Sequence, residues 1–215
     1  MKKNILRFLG LFLLITQTAQ AQQDPKAKAV LDAVKSKYQS MAAFSADFTY
    51  NMSSPTTGVN ETFSGDIAVK SKKFYLKLPK QHVITDGTTQ WTYLKDANEV
   101  TVTDYEPDAD EITPDKIYTV YETDYDYAFV EEKVEAGKAY QIIDLKPKNI
   151  KAQFFKIRLK ITKDGHSIKS WEVFERNNNR YLYTITKFAK VTVGDGYFKY
   201  NKTNYPSNPT IEDLR

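Results

Sequence analysis

The chain has 215 residues with 31 Lys and Arg against 27 Asp and Glu, a formal net charge of +4, and three of those cations (Lys2, Lys3 and Arg7) crowd its first 21 residues. The remainder is close to neutral and lacks the general pull toward polyanions that marks nucleic-acid binders. Cysteine is absent, which excludes disulfides, thiol ligation of a metal and acylation at a cysteine, and leaves packing alone to hold an exported domain.

Residues 1–21 read as a cleavable secretory signal. Lys2 and Lys3 precede the apolar run Ile5–Ile15, and Ala19-Gln20-Ala21 supplies the small-x-small pattern of a cleavage site. The apolar run is too short to span a bilayer. A single domain over residues 22–215 is expected, working in a bacterial envelope compartment.

Asp24-Pro25 reads as an N-cap and first-turn proline. Val30, Val34, Tyr38 and Met41 follow at spacings of four, four and three, an apolar stripe along an amphipathic helix. The period then drops to two. Phe44, Ala46, Phe48, Tyr50 and Met52 alternate with Ser45, Asp47, Thr49 and Asn51, a strand with one apolar face. Alternation continues in Phe63, Gly65, Ile67 and Val69, and in Phe74, Leu76 and Leu78. Asp86-Gly87 turns the chain between Val83-Ile84 and Trp91-Thr92-Tyr93, and Asp96–Asn98 turns it again before Val100 and Val102. Further strands are predicted at 127–133, 140–145, 154–162, 167–175, 181–188 and near 197–200. About ten strands joined by tight turns predict an antiparallel meander. One interruption is predicted: Thr113-Pro114 with Ile117, Tyr118, Val120 and Tyr121 gives a short helix.

Parts for catalysis are scarce. His82 and His166 are the only histidines, and no nucleophile elbow or phosphate-cradling glycine loop is present. The reading is therefore a non-enzyme without metal or cofactor. Charge is uneven along the chain. Asp104, Glu106, Asp108, Asp110, Glu111, Asp115, Glu122, Asp124 and Asp126 form an acidic stretch, and Lys146, Lys148, Lys151, Lys156, Arg158, Lys160 and Lys163 a basic one. Solvated surface explains both; docking to partners of opposite charge is the competing reading. Two short helices can hardly fill the concavity of so many strands, which leaves room for an apolar cavity. The same aromatics fit an ordinary filled core.

Several runs, in order, resemble the LolA family of periplasmic lipoprotein carriers. They are the helix leading into Met41–Phe48, then Phe63-Ser64-Gly65-Asp66-Ile67-Ala68-Val69-Lys70, Phe74-Tyr75-Leu76, Thr85–Tyr93 and Ile211–Leu214. The resemblance implies a mainly β (α+β) fold, a curved antiparallel sheet forming an unclosed β-barrel under a helical lid. It implies a hydrophobic cavity for acyl chains, walled by Phe44, Phe48, Phe63, Ile67, Val69, Phe74, Leu76, Leu78, Trp91 and Tyr93. Val34, Tyr38 and Met41 would belong to the lid, with Ile117, Val120 and Tyr121 on its second element. It implies partners too: acylated lipoproteins, an inner-membrane ABC lipoprotein-release complex and an outer-membrane acceptor, served by a monomeric periplasmic protein. One departure stands out, because Ser71 occupies the position where family members carry a lid-latching arginine. Two other readings compete: an envelope carrier of free lipid or glycolipid, and a non-catalytic carbohydrate-binding or structural β domain.

Overall fold

The computed structural model describes residues 23–107, 113–205 and 208–215; the proposed signal at 1–21 lies outside them. Helix α1 (Pro25–Gln39) starts where the sequence says it should. The Asp24 carboxylate accepts hydrogen bonds from the backbone N–H of Lys26 (2.8 Å) and Ala27 (3.3 Å), and Pro25 needs no partner for a missing N–H. Its buried face is Ala27, Val30, Leu31, Val34 and Tyr38.

Twelve strands follow: β1 (Phe44–Ser54), β2 (Val59–Lys70), β3 (Lys73–Lys77), β4 (Gln81–Thr85), β5 (Thr89–Leu94), β6 (Glu99–Asp104), β7 (Tyr125–Glu135), β8 (Lys138–Pro147), β9 (Phe154–Thr162), β10 (Ile168–Glu175), β11 (Arg180–Lys190) and β12 (Thr210–Asp213). They form one sheet in the order β12-β6-β5-β4-β3-β2-β1-β11-β10-β9-β8-β7. Two meanders, β1 to β6 and β7 to β11, are thus joined through the long β1–β11 pairing at the centre. The ends, β7 and β12, do not pair with each other, so the curved sheet stays unclosed. All ladders are antiparallel except the last, where β12 runs parallel to β6.

Tight turns carry the backbone strain this topology needs. Ala136 (φ 47°) and Gly137 (φ 74°) make the two-residue β7–β8 hairpin, whose twin positive φ angles match the right-handed twist of the strands. Ser71 (φ 53°) sits at the exposed tip of the β2–β3 hairpin. Register shifts bend the sheet at Asp47/Phe48 against β11, at Phe129/Glu131 in β7, and at two points between β9 and β10.

Two sequence expectations are corrected here. The segment 113–121 is not an α-helix but a run of turns ending in a 3₁₀ helix at Val120–Glu122, closed by hydrogen bonds such as Lys116 N to Thr113 O (2.9 Å) and Thr119 N to Lys116 O (2.8 Å). So short a segment cannot repay helix nucleation by itself. Residues 197–200 are not a strand; a 3₁₀ turn spans Asp195–Phe198.

Burial divides between the two faces of the sheet. On the inner face, α1 and the 113–122 segment pack on Ile143, Leu145, Ile157, Leu159 and Ile161 from β8 and β9. On the outer face, the C-terminal segment lays Phe198 and Tyr205 over Tyr75, Ile84, Tyr93, Val100 and Val102. Asp195 fastens that segment through ion pairs to Lys70 (2.9 Å) and Lys73 (3.0 Å), which hold its carboxyl down at about 2.

Candidate functional site

Helix α1 covers only part of the inner face. Its N-terminus is tied to β7: the Phe129 N–H donates to Asp24 Oδ2 (2.9 Å) and Asp24 N–H donates to Tyr127 O (3.2 Å). The Phe129 N–H is the main reason the Asp24 carboxyl titrates below the usual carboxylate range. At its other end, Lys37 Nζ bonds Gly165 O and Ser167 Oγ in the β9–β10 turn, and the Ile168 N–H donates to Tyr38 Oη (3.3 Å). The helix therefore lies over the β7–β10 half, and the other half of the concave face is left to something else.

What remains there is a cavity of about 680 Å³, within the range of small-ligand sites. Its closed end is aromatic. The Tyr38 ring stands edge-on to Phe44 (5.2 Å), stacks on Tyr118 (5.2 Å) and meets Phe188 (5.4 Å). Burial pushes the Tyr38 phenol up to about 12, so it stays neutral. The walls come from both meanders: Ala46, Tyr50 and Ile67 on one side, Trp171, Val173, Tyr183 and Ile185 on the other. No charged side chain lines the cavity among the described residues; Gln81, Gln90 and Thr113 are polar lining residues, beside the hydroxyl-bearing rings of Tyr38, Tyr50 and Tyr183 and the Trp171 indole. Thr113 Oγ1 is buried without a hydrogen-bond partner among the described residues.

Cross-strand register decides which predicted wall residues meet. Phe44, Val69 and Phe74 lie directly opposite one another on β1, β2 and β3, and Ala46, Ile67 and Leu76 form the next row. Phe48 faces Gly65, with Leu78 beside it. These seven predicted residues, Phe44, Phe48, Ile67, Val69, Phe74, Leu76 and Leu78, all border the cavity. Phe63 does not. It stacks on Tyr50 (6.2 Å) in a row of rings, Phe63, Tyr50, Tyr183 and Trp171, that crosses four strands.

Trp91 and Tyr93 need correcting outright. Trp91 lies opposite Ile84 and Val102, and Tyr93 opposite His82 and Val100, in rows that face the outer side. The residues of β5 turned inward are Gln90 and Thr92. Alternation showed that β5 has an aromatic face; the tail that covers it on the outside left no such signal.

The predicted lid residues divide between the two covering elements. Val34 is core, 1% exposed, beneath α1. Tyr38 caps the cavity, and Met41 packs against the main core. From the second element, Ile117 borders the cavity, while Val120 and Tyr121 pack into the main core. Tyr121 donates its hydroxyl to Asp32 Oδ1 (2.7 Å), and Lys35 pairs with Glu122 (2.5 Å), joining the two elements. Burial, then the Asp32 carboxylate, raises the Tyr121 phenol. Ser71 faces solvent and takes no part in this attachment. The wall residues that sequence reasoning missed, Trp171, Val173, Tyr183 and Ile185 chief among them, do alternate along β10 and β11, but only the pairing of β11 with β1 assigns them to this side.

Comparison with known proteins fits this architecture. The family described as "Outer membrane lipoprotein carrier protein LolA" matches residues 39–201. An outer-membrane lipoprotein carrier protein of Actinobacillus succinogenes is 24% identical over all of this chain and 98% of its own length. An uncharacterized conserved protein of Thermus thermophilus has a similar fold, with a TM-score of 0.59 at 11% identity over 87% of this chain and 99% of that one. A LolA superfamily protein of Nitrosomonas europaea aligns over 81% of this chain and 97% of its own, at 8% identity and a TM-score of 0.45.

Proposed function

Because this chain belongs to the LolA family, we propose that it carries lipoproteins by burying their acyl chains in the inner cavity, taking them from the inner membrane toward the outer membrane. The observation that carries this reading is the uncharged, aromatic-walled space of about 680 Å³ under a partial cover. An acyl chain of about sixteen carbons avoids water by on the order of 12 kcal/mol, so it does not cross an aqueous gap unaided. Apolar burial along the chain is non-directional, so the site shelters it and still releases it to a better acceptor.

Within that reading, seven sequence-predicted wall residues (Phe44, Phe48, Ile67, Val69, Phe74, Leu76 and Leu78) and the missed Trp171 and Tyr183 contact the chains. The unpartnered Thr113 hydroxyl donates to an ester or amide carbonyl of the cargo. The periplasm is the compartment, an ABC release complex the donor, and an outer-membrane receptor the acceptor. The carrier homologue from Actinobacillus succinogenes supports the lipoprotein cargo and the periplasmic compartment; the donor and acceptor are part of the proposal.

The test is native mass spectrometry of the protein purified from its own envelope, alongside titration with a fluorescent dipalmitoyl lipopeptide. Saturable one-to-one binding is expected, with an acylated polypeptide retained in the spectrum. Val83→Trp, which fills the cavity from a partly exposed wall position, should weaken lipopeptide binding at least about tenfold while the fold persists. Equal binding by that variant, or co-purified glycolipid without lipoprotein, counts against the proposal.

A further inference from the structure

The basic stretch noted in the sequence splits into two populations. On the outer face of β9 and just past its end the cations are neutralised: Lys156 and Arg158 pair with Asp144, Lys160 with Glu135, and Lys163 with Glu132. The β8–β9 loop differs. Residues 146–153 hold three lysines and no carboxylate, and among the described residues Lys146, Lys148 and Lys151 form no ion pair.

Between Lys148 and Lys151 stands Ile150, 83% exposed, the most exposed large apolar side chain among the described residues. It is not a loose end. Asn149 to Ala152 form a turn closed by Ala152 N to Asn149 O (3.2 Å), and Asn149 Oδ1 accepts from the Lys151 N–H (2.9 Å). The Arg176 guanidinium then clamps the loop from the β10–β11 turn, donating to the carbonyls of Ala152 (3.0 Å) and Ile150 (3.1 Å). Ile150 therefore stands at a fixed corner of the fold, with cations on both sides. Just beyond it Phe155 is 43% exposed beside Phe174, whose ring carries Lys156 Nζ at 4.1 Å and Arg180 at 5.3 Å. Three carboxylates stand near this edge: Glu175 is engaged by Asn179 and Tyr181, Asp124 accepts from Thr123 Oγ1 (2.7 Å), and Asp126 lies opposite Lys146. The Lys148 ammonium donates to the Thr123 carbonyl (2.8 Å), a neutral partner that leaves its charge in place.

We infer that this corner docks the protein on an anionic phospholipid surface, with Ile150 inserted among the acyl chains and Lys148 and Lys151 against the phosphates. A rigid apolar tip flanked by unneutralised lysines suits a bilayer boundary, where both contributions act together. Phe154, at the end of the same loop, borders the cavity, so a docked molecule presents that side of its site to the membrane. The purpose of docking rests on the carrier reading; the docking itself does not.

Flotation of the exported chain with vesicles of phosphatidylglycerol and phosphatidylethanolamine tests it, with phosphatidylcholine vesicles as the comparison. The native chain should float with the anionic vesicles, weakly with the neutral ones, and less as salt is raised. Ile150→Asp should abolish flotation, and Lys148→Gln with Lys151→Gln should lower partition roughly fivefold per lysine. Each variant should keep its thermal midpoint and its lipopeptide binding, because every changed side chain is on the surface. Val83→Trp should float like the native chain, which separates failure of docking from failure of the cavity. The inference falls if the native chain ignores anionic vesicles, if Ile150→Asp floats undiminished, or if binding needs envelope proteins embedded in the vesicle.

Discussion

Gly65 shows how much one missing side chain decides. It sits on the cavity face of β2 opposite Phe48, and a Cβ built there would lie 2.7 Å from the Phe48 ring and 2.8 Å from the Lys77 carbonyl oxygen. Ordinary contacts do not come that close, so the backbone and the ring must both give way. Gly65→Ala is expected to cost about 1–3 kcal/mol in urea unfolding and to shift Phe48 into the cavity, with weaker lipopeptide binding as the second readout. None of this was legible beforehand, since a glycine in an alternating strand says only that something comes near. Asp24 was legible, but as a helix cap alone; its second partner, the Phe129 N–H, lies 105 residues away. Because the folded state lowers the Asp24 pKa, its stabilisation is fully present above the unfolded value of about 4 and fades as pH falls through the lower folded one. Urea midpoints taken across that window should drop for the native chain and stay flatter for Asp24→Asn.

Among the covering elements, magnitude decides which one moves. Lifting α1 would expose Val30, Leu31, Val34 and Tyr38 together with the strand residues beneath them. At about 1.5–3 kcal/mol per large side chain, that is on the order of 10 kcal/mol, close to the whole gain from sheltering one acyl chain. The 113–122 segment buries much less, chiefly Ile117 and Tyr121, and is pinned by Tyr121–Asp32 and Lys35–Glu122. It is the gate we expect, with α1 as its fixed post. In a chain without cysteine, Lys35→Cys with Glu122→Cys can be bridged by a short bis-maleimide without touching the core. Lipopeptide loading should then slow at least about tenfold and recover in the unbridged double variant; loading at the native rate would move the entrance elsewhere. The sequence displayed this element only as apolar residues at helical spacing behind Thr113-Pro114. That pattern put Ile117 and Tyr121 on one side, and both are buried, yet so few residues fold as turns, whose conformation is set by what they rest on.

At the level of the whole molecule, strands were readable and their neighbours were not. Period-two alternation located nearly every strand from Phe44 to Phe188, but the fold depends on β1 pairing with β11, more than a hundred residues later. That pairing brings Tyr183 and Trp171 beside Tyr50 and so makes a cavity from two separate meanders. Alternation also could not tell an inner aromatic face from an outer one roofed by the tail, which is why Trp91 and Tyr93 were misplaced, whereas Phe44 and Leu76 border the cavity. The architecture that results is one sheet with two covers of unlike completeness. The tail packs its face closed, with Phe198 fully buried, and α1 with the 113–122 segment leaves its face partly empty. An interior of that kind is stabilised by whatever fills it. A ligand present at about a hundred times its Kd adds about 2.7 kcal/mol to the folded state, and each kcal/mol moves the midpoint of a chain this size by about 2–4 °C. Dipalmitoyl lipopeptide should therefore raise the thermal midpoint by about 5–10 °C in a concentration-dependent way, and deacylated peptide should not. Val83→Trp should begin from a midpoint close to native and gain little from the lipopeptide, because the space the chains would occupy is already taken.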